Sequence, residues 1–310
     1  MKKKVQLVLG SGGARGIAHI GVIHMLEEQG YEIVEVYGCS MGAVIGGMYC
    51  AGYLKPYTEW LTKLTKSDVY RLFDVTFSMQ GFVKGEKIFS VLEQMAGKKM
   101  IEDLPIPFVA VATDMLSRKE VHFSKGDLYK ALRASTGIPG VFKPIAENQS
   151  LYVDGGVLNP LPVNLVKRRD DAIIVAVDLN GPRVIEPRTV VTPAGVVAEV
   201  ETEASDMISK MKKYFFAETT SKAKVEAATA TPSFSMFEIL DASYDATLDR
   251  LVDIMVQIYP PDILVKIPRN SAAVFEFYRA AELMDIGKKA YTRATEIADY
   301  SADESISELS

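Results

Sequence analysis

The segment Gly38-Cys39-Ser40-Met41-Gly42 lies directly between an extended apolar stretch, Ile33 to Tyr37, and a run of small residues, Ala43-Val44-Ile45-Gly46-Gly47. A strand that turns into a helix within one Gly-x-Ser-x-Gly leaves its serine in a strained bend, with the hydroxyl pushed out over the end of the sheet. Glycines flank the serine because a Cβ at Gly38 or Gly42 would collide with the neighbouring strand and helix. Gly42, Ala43, Gly46 and Gly47 then let the helix lie close to the sheet. By itself the pattern fits either a presented nucleophile or a buried strand-to-helix turn without chemistry. Its surroundings decide.

A second glycine-rich corner precedes it. Gly10-Ser11-Gly12-Gly13-Ala14-Arg15-Gly16 follows the strand Val5 to Leu9 and leads into an apolar helix from Ile17 to about Gln29. Glycines between a strand and a helix leave backbone N–H groups bare, and the helix dipole favours negative charge there. Two anions could use the corner: a dinucleotide pyrophosphate, or the oxyanion formed when a serine attacks an ester. The dinucleotide reading needs a glycine where Arg15 stands and an acidic residue at the end of the second strand. The chain instead ends that strand in Gly38-Cys39-Ser40, so the oxyanion reading is preferred.

A serine nucleophile needs a base. The chain has three histidines. His19 and His24 fall inside the first helix, where packing on the sheet with a partly solvated ring is the expectation. His122 lies in an alternating strand, Glu120-Val121-His122-Phe123, and no late loop marks it as a partner for Ser40. Three aspartates end apolar runs: Asp114, Asp154 and Asp178. In a parallel sheet all three would lie at the carboxyl edge beside the elbow, and spacing does not choose among them. Capping of a loop or helix is the expectation for Asp114 and Asp178. Asp154 is set apart by the turn Gly155-Gly156, which permits close approach to a neighbouring loop.

Together these residues resemble the patatin-like phospholipases, bacterial members in particular. The likeness rests on Gly12-Gly13-Ala14-Arg15-Gly16, the Ser40 elbow and Asp154-Gly155-Gly156, in that order. It extends through Val111-Ala112-Thr113-Asp114, Ala134 to Phe142 and Val157 to Val163, covers roughly the first 180 residues, and returns weakly at Pro261 to Leu264. The resemblance implies a three-layer α/β/α fold with a mostly parallel central sheet. It implies a lipid acyl hydrolase that cleaves phospholipids or lysophospholipids through an acyl-enzyme. Ser40 would be the nucleophile, Asp154 the proton acceptor, and the amides of Gly12, Gly13 and Ala14 the oxyanion hole. Arg15, Gly16, Gly38, Gly42, Gly155 and Gly156 would support them. The chain departs from the family at Ser11, where a further glycine often stands. A regulatory or scaffold protein with little lipase activity is the alternative.

Composition fits an enzyme of this kind. The chain has 310 residues, 48% of them hydrophobic, and a net charge of −5, which gives no general attraction for nucleic acid. After Lys2-Lys3-Lys4 only five apolar-type positions precede the glycine corner, too few for a signal peptide core. No run approaches the ~18 apolar residues of a spanning helix. Cys39 and Cys50 read as reduced core residues, so a cytoplasmic location is expected. No clustered ligands suggest a metal, and no cofactor is expected. The expected partners are a lipid or acyl ester substrate and a transient membrane surface contact, without nucleic acid; the oligomeric state is not legible.

Residues 1–180 are expected to form the catalytic core and residues 181–235 a polar insertion or lid. Within the latter Met207, Ile208, Met211, Tyr214 and Phe215 share a helical face, suited either to a lipid surface or to packing on the domain. Residues 236–300 complete the domain, with a helix from Phe237 to Ile258 burying Leu240, Tyr244, Leu248, Leu251 and Met255. A last strand, Asp262 to Ile267, and a closing helix, Phe275 to about Ala298, follow. Residues 301–310 read as a frayed acidic tail.

Overall fold

The computed structural model describes residues 3–73, 75–78, 81–83, 85–184 and 236–307. Its centre is β1 (Lys4–Leu9), whose residues from Val5 onward are all buried, as befits a parallel strand covered on both faces. β2 (Glu32–Cys39) and β9 (Ala172–Gly181) flank it in parallel. β10 (Ile263–Pro268) continues beyond β9, and β5 (Phe108–Asp114) beyond β2, also in parallel. Three short strands, β6 (Lys119–Phe123), β7 (Ile145–Glu147) and β8 (Ser150–Asp154), join antiparallel on the β5 side. The result is an eight-stranded, mostly parallel sheet.

Alternation along β1 divides the core. Leu7 and Leu9 face α1 (Ala18–Glu28), α2 (Met41–Cys50) and α8 (Ala280–Ser307), with Ile20, Ile45 and Leu283 in the same cluster. Val8 points the other way and packs with Tyr37, Ile174 and Val252 of α7 (Met236–Ile258). Helices on both faces give the three layers that the family resemblance implies. α3 (Leu54–Leu61), α4 (Lys66–Leu72), a β3–β4 hairpin (Val75–Ser78, Gly81–Val83) and α5 (Glu86–Ala96) follow α2, and α6 (Leu128–Ser135) follows β6.

One edge of β5 positions the chemistry. Residues Phe108 to Val111 pair with β2, while Ala112 to Asp114 pair with β8. β6 pairs with Ala110 to Asp114 and so occupies the opposite edge. β2 and β8 therefore run toward each other along the same side of β5 and meet end to end, Cys39 beside Val111 and Asp154 beside Ala112.

Several expectations change. Asp154 reaches the carboxyl edge on an antiparallel strand, and Asp178 lies inside β9 instead of ending it. On α7 only the later turns meet the sheet, so Leu248 and Val252 are buried while Leu240 is 58% exposed. The closing helix runs on to Ser307, since no glycine or proline after Gly287 interrupts it. The Met207 to Phe215 face lies outside the described residues.

Candidate active site

Ser40 is the junction between β2 and α2, with φ 55° and ψ −124°. A positive φ on a non-glycine residue costs on the order of 1–3 kcal/mol and persists only where the surroundings enforce it. Here a Cβ on Gly38 would lie 2.5 Å from Ala43 Cα, and one on Gly42 would lie 2.1 Å from the Leu9 carbonyl oxygen. The strained peptide is also tied down from α6: Ser40 N–H donates to Ser135 Oγ at 2.9 Å, and that hydroxyl donates to the Val111 carbonyl at 2.6 Å. Ser135 has no local signature in the sequence as an elbow anchor, because its partners come from β2 and β5.

Asp154 closes β8 facing the elbow. Its Oδ2 accepts the Ser40 hydroxyl at 2.5 Å, and its Oδ1 accepts the Gly156 amide at 2.7 Å. Gly155 allows this approach, since a Cβ there would stand 2.3 Å from the Val111 oxygen. Both partners are buried, Asp154 at 2% exposure and Ser40 at 3%. Burial raises the Asp154 carboxyl from its ordinary 3.8 to about 6, against the opposing pull of the two hydrogen bonds. Cys39 Sγ sits 4.0 Å from Oδ1, and both cysteines are free and buried.

The other candidates lie elsewhere. Asp114 caps a turn, its Oδ1 accepting the amides of Leu116 and Leu151. Asp178 accepts the Asn180 amide, and burial raises its carboxyl. His122 is hydrogen-bonded to Glu120 at 2.9 Å, on a half-exposed side chain. His19, expected to be partly solvated, is wholly buried.

The glycine corner is pinned at both ends. Gly10 N–H donates to the Val177 carbonyl and Ser11 N–H to the Pro160 carbonyl, while the Ser11 carbonyl accepts Asn180 Nδ2. Ala14 N–H donates to the Val274 carbonyl at 2.9 Å. That bond removes Ala14 from the expected oxyanion donors: its amide is already satisfied by a segment far along the chain. The amides of Gly12 and Gly13 make no hydrogen bond among the described residues. Arg15 turns away from the site, donating to the carbonyls of Leu179 and Ala272 and to Asn180 Oδ1, and Gly16 makes room for Met41. Met41 also lines the site, and its amide is the first of α2, where a helix supplies no acceptor.

Ser40, Gly13 and Met41 open onto a cavity of about 680 Å³, open mouth included, walled by residues such as Val44, Leu61, Phe73, Phe142 and Phe275. Among the described residues no group of three or more His, Cys, Asp or Glu could hold a metal, and no helix is long and apolar enough to cross a membrane.

A family model described as patatin-like phospholipase matches residues 7–167. The chain belongs to the patatin-like phospholipase family. Proteins of the NTE family from Mycobacterium tuberculosis and Mycobacterium bovis are 34% identical over 338 residues, covering 97% of this chain and 94% of theirs. Lysophospholipase NTE1 of Saccharomyces cerevisiae is 35% identical over 181 residues, 57% of this chain and 11% of that protein. Among solved structures, VipD from Legionella pneumophila aligns with 96% of this chain and 67% of its own at 13% identity, with a TM-score of 0.47. This patatin-like phospholipase is thus a lipid acyl hydrolase.

Proposed function

We propose that this patatin-like phospholipase cleaves phospholipid or lysophospholipid esters through an acyl-enzyme on Ser40, with Asp154 as the only base. The reading is carried by the 2.5 Å contact between Ser40 Oγ and Asp154 Oδ2 at the mouth of an apolar cavity. The acyl chain lies in that cavity and places its ester carbonyl over Ser40. Asp154 takes the hydroxyl proton as Oγ attacks, and the carbonyl oxygen, now negative, is held by the amides of Gly12 and Gly13, with Met41 N–H as a further donor. Collapse expels the alcohol, which takes the proton from Asp154. Water then attacks the acyl-enzyme, giving its proton to Asp154, and the departing serine oxygen recovers it as the fatty acid leaves.

A carboxylate of ordinary basicity is a poor partner for a serine hydroxyl, so the burial that raises Asp154 supports this assignment. The lysophospholipase name of the yeast relative favours a single-chain substrate. Residues 1–180 are read as the catalytic core and 181–235 as an insertion. Residues 236–300 belong to the same domain, because Val274, Phe275 and Phe277 line the cavity.

Ser40→Ala should abolish release of p-nitrophenol from a p-nitrophenyl acyl ester and block labelling by a fluorophosphonate, with the fold unchanged by circular dichroism. Labelling retained in Ser40→Ala would overturn the assignment. A folded wild-type protein that neither labels nor hydrolyses any ester would point to a scaffold role instead.

A further inference from the structure

The chemistry above leaves the buried imidazole of His19 unused. His19, at the start of α1, has no solvent exposure, and its Nε2 lies 2.9 Å from the Gly10 carbonyl oxygen. A carbonyl can only accept, so the contact places the ring proton on Nε2. Nδ1 meets no polar partner among the described residues. Burial holds the ring well below its ordinary 6.5, at about 4, so it is neutral at working pH. Burying an imidazole with one nitrogen unpaired is unfavourable compared with an aliphatic side chain at the same helix position. What it secures is the Gly10 carbonyl.

That carbonyl belongs to the peptide plane between Gly10 and Ser11. The N–H of the same plane donates to the Pro160 carbonyl at 2.9 Å. On another side the oxygen abuts α2, where a Cβ on Gly42 would lie 2.7 Å from it. Both polar groups of the plane are therefore engaged, one by His19 and one by Pro160. The next plane carries the Gly12 N–H, and the plane after it the Gly13 N–H. Their direction depends on how the Gly10–Ser11 plane is turned, and glycine at position 10 gives that plane freedom to swing if one anchor is lost.

We infer that His19 is a positioning residue for hydrolysis: by donating its Nε2 proton to the Gly10 carbonyl it fixes the Gly10–Ser11 peptide and thereby aims the Gly12 and Gly13 amides at the developing oxyanion. The inference rests on the oxyanion role proposed for those amides. Because that role is exercised in the transition state, loss of aim lowers kcat and leaves KM nearly unchanged.

The test compares His19→Leu with His19→Gln, whose side-chain amide can present an N–H near the position of Nε2. His19→Leu should lose kcat on a p-nitrophenyl acyl ester by on the order of 10–100-fold at similar KM, in keeping with the cost of a small misplacement. His19→Gln should recover most of that loss. In the wild type, ¹⁵N NMR should show the His19 ring neutral and protonated on Nε2 at pH 7. Unchanged kcat in folded His19→Leu overturns the inference, as does a failure of folded His19→Gln to exceed it. If neither variant folds, the NMR tautomer decides: a ring protonated on Nδ1 refutes the bond to Gly10. Ser40→Ala separates the two levels, because turnover surviving in that variant defeats the parent reading whatever the His19 variants do.

Discussion

Replacing Asp154 by asparagine should make the protein more stable while destroying its activity. The carboxyl rises from 3.8 to about 6 because it is buried, and at about 1.4 kcal/mol per pH unit this amounts to about 3 kcal/mol. The sign follows from proton binding. An acid whose folded pKa is raised holds its proton more tightly when folded, so its ionisation destabilises the fold as pH rises from about 4 through 6. Above that window the native protein carries the full penalty. Asparagine keeps an oxygen for the Gly156 amide and offers an N–H to Ser40 Oγ, so both hydrogen bonds of Asp154 have a counterpart without the charge. Guanidinium unfolding at pH 8 should place Asp154→Asn above wild type by about 2–3 kcal/mol, a rise in Tm on the order of 5 °C. The gap should close toward zero below about pH 3, where the wild-type carboxyl is protonated in both states. Groups common to both proteins cancel in the difference. A folded Asp154→Asn less stable than wild type at pH 8, or a gap indifferent to pH, would refute the buried-charge reasoning.

The same carboxyl sets the pH profile: activity needs Asp154 ionised, so kcat/KM should fall as pH drops through about 6. That limb should be unaltered in His122→Gln, because His122 is held by Glu120, and a limb that vanishes there would identify the wrong base. Gly13→Val forces a β-branched residue into φ +57° and against Val274; kcat should drop on the order of 10²–10³-fold with KM little changed, and normal turnover would free the loop of its oxyanion role. Val44 lies one helical turn past Ser40 on the cavity wall, so Val44→Phe should shift the preference of the enzyme toward shorter p-nitrophenyl acyl esters, and an unchanged chain-length profile would place the acyl chain elsewhere.

What could be read without coordinates was local. The elbow and the glycine corner announce themselves because tight turns demand particular residues at adjacent positions. Asp154 was different: strand patterns left three carboxylates open, and the turn Gly155-Gly156 together with the likeness to a family set it apart. The deciding geometry is the antiparallel entry of β8, made by a hairpin whose turn residues, Asn148 and Gln149, both take positive φ. Glu147-Asn148-Gln149-Ser150 lacks the glycine that usually signals such a turn. Ala14 was miscast for a related reason, since Val274 occupies its amide from the other end of the chain. The full burial of His19 was hidden in the same way. α8 approaches α1 so closely that a Cβ on Gly287 would lie 2.0 Å from the Ala18 oxygen, and nothing within α1 foretells that neighbour.

The end-to-end meeting of β2 and β8 has a consequence for a chain that is made from one end to the other. Ser40 and Asp154 are 114 residues apart, and the cavity takes its last walls from Val274, Phe275 and Phe277. During synthesis the elbow can close on β1 and β5 long before any base stands beside it. On the proposed dyad, a nascent or prematurely ended chain that stops short of β8 therefore has Ser40 without its base. The cavity is completed later still, once Val274, Phe275 and Phe277 have been made.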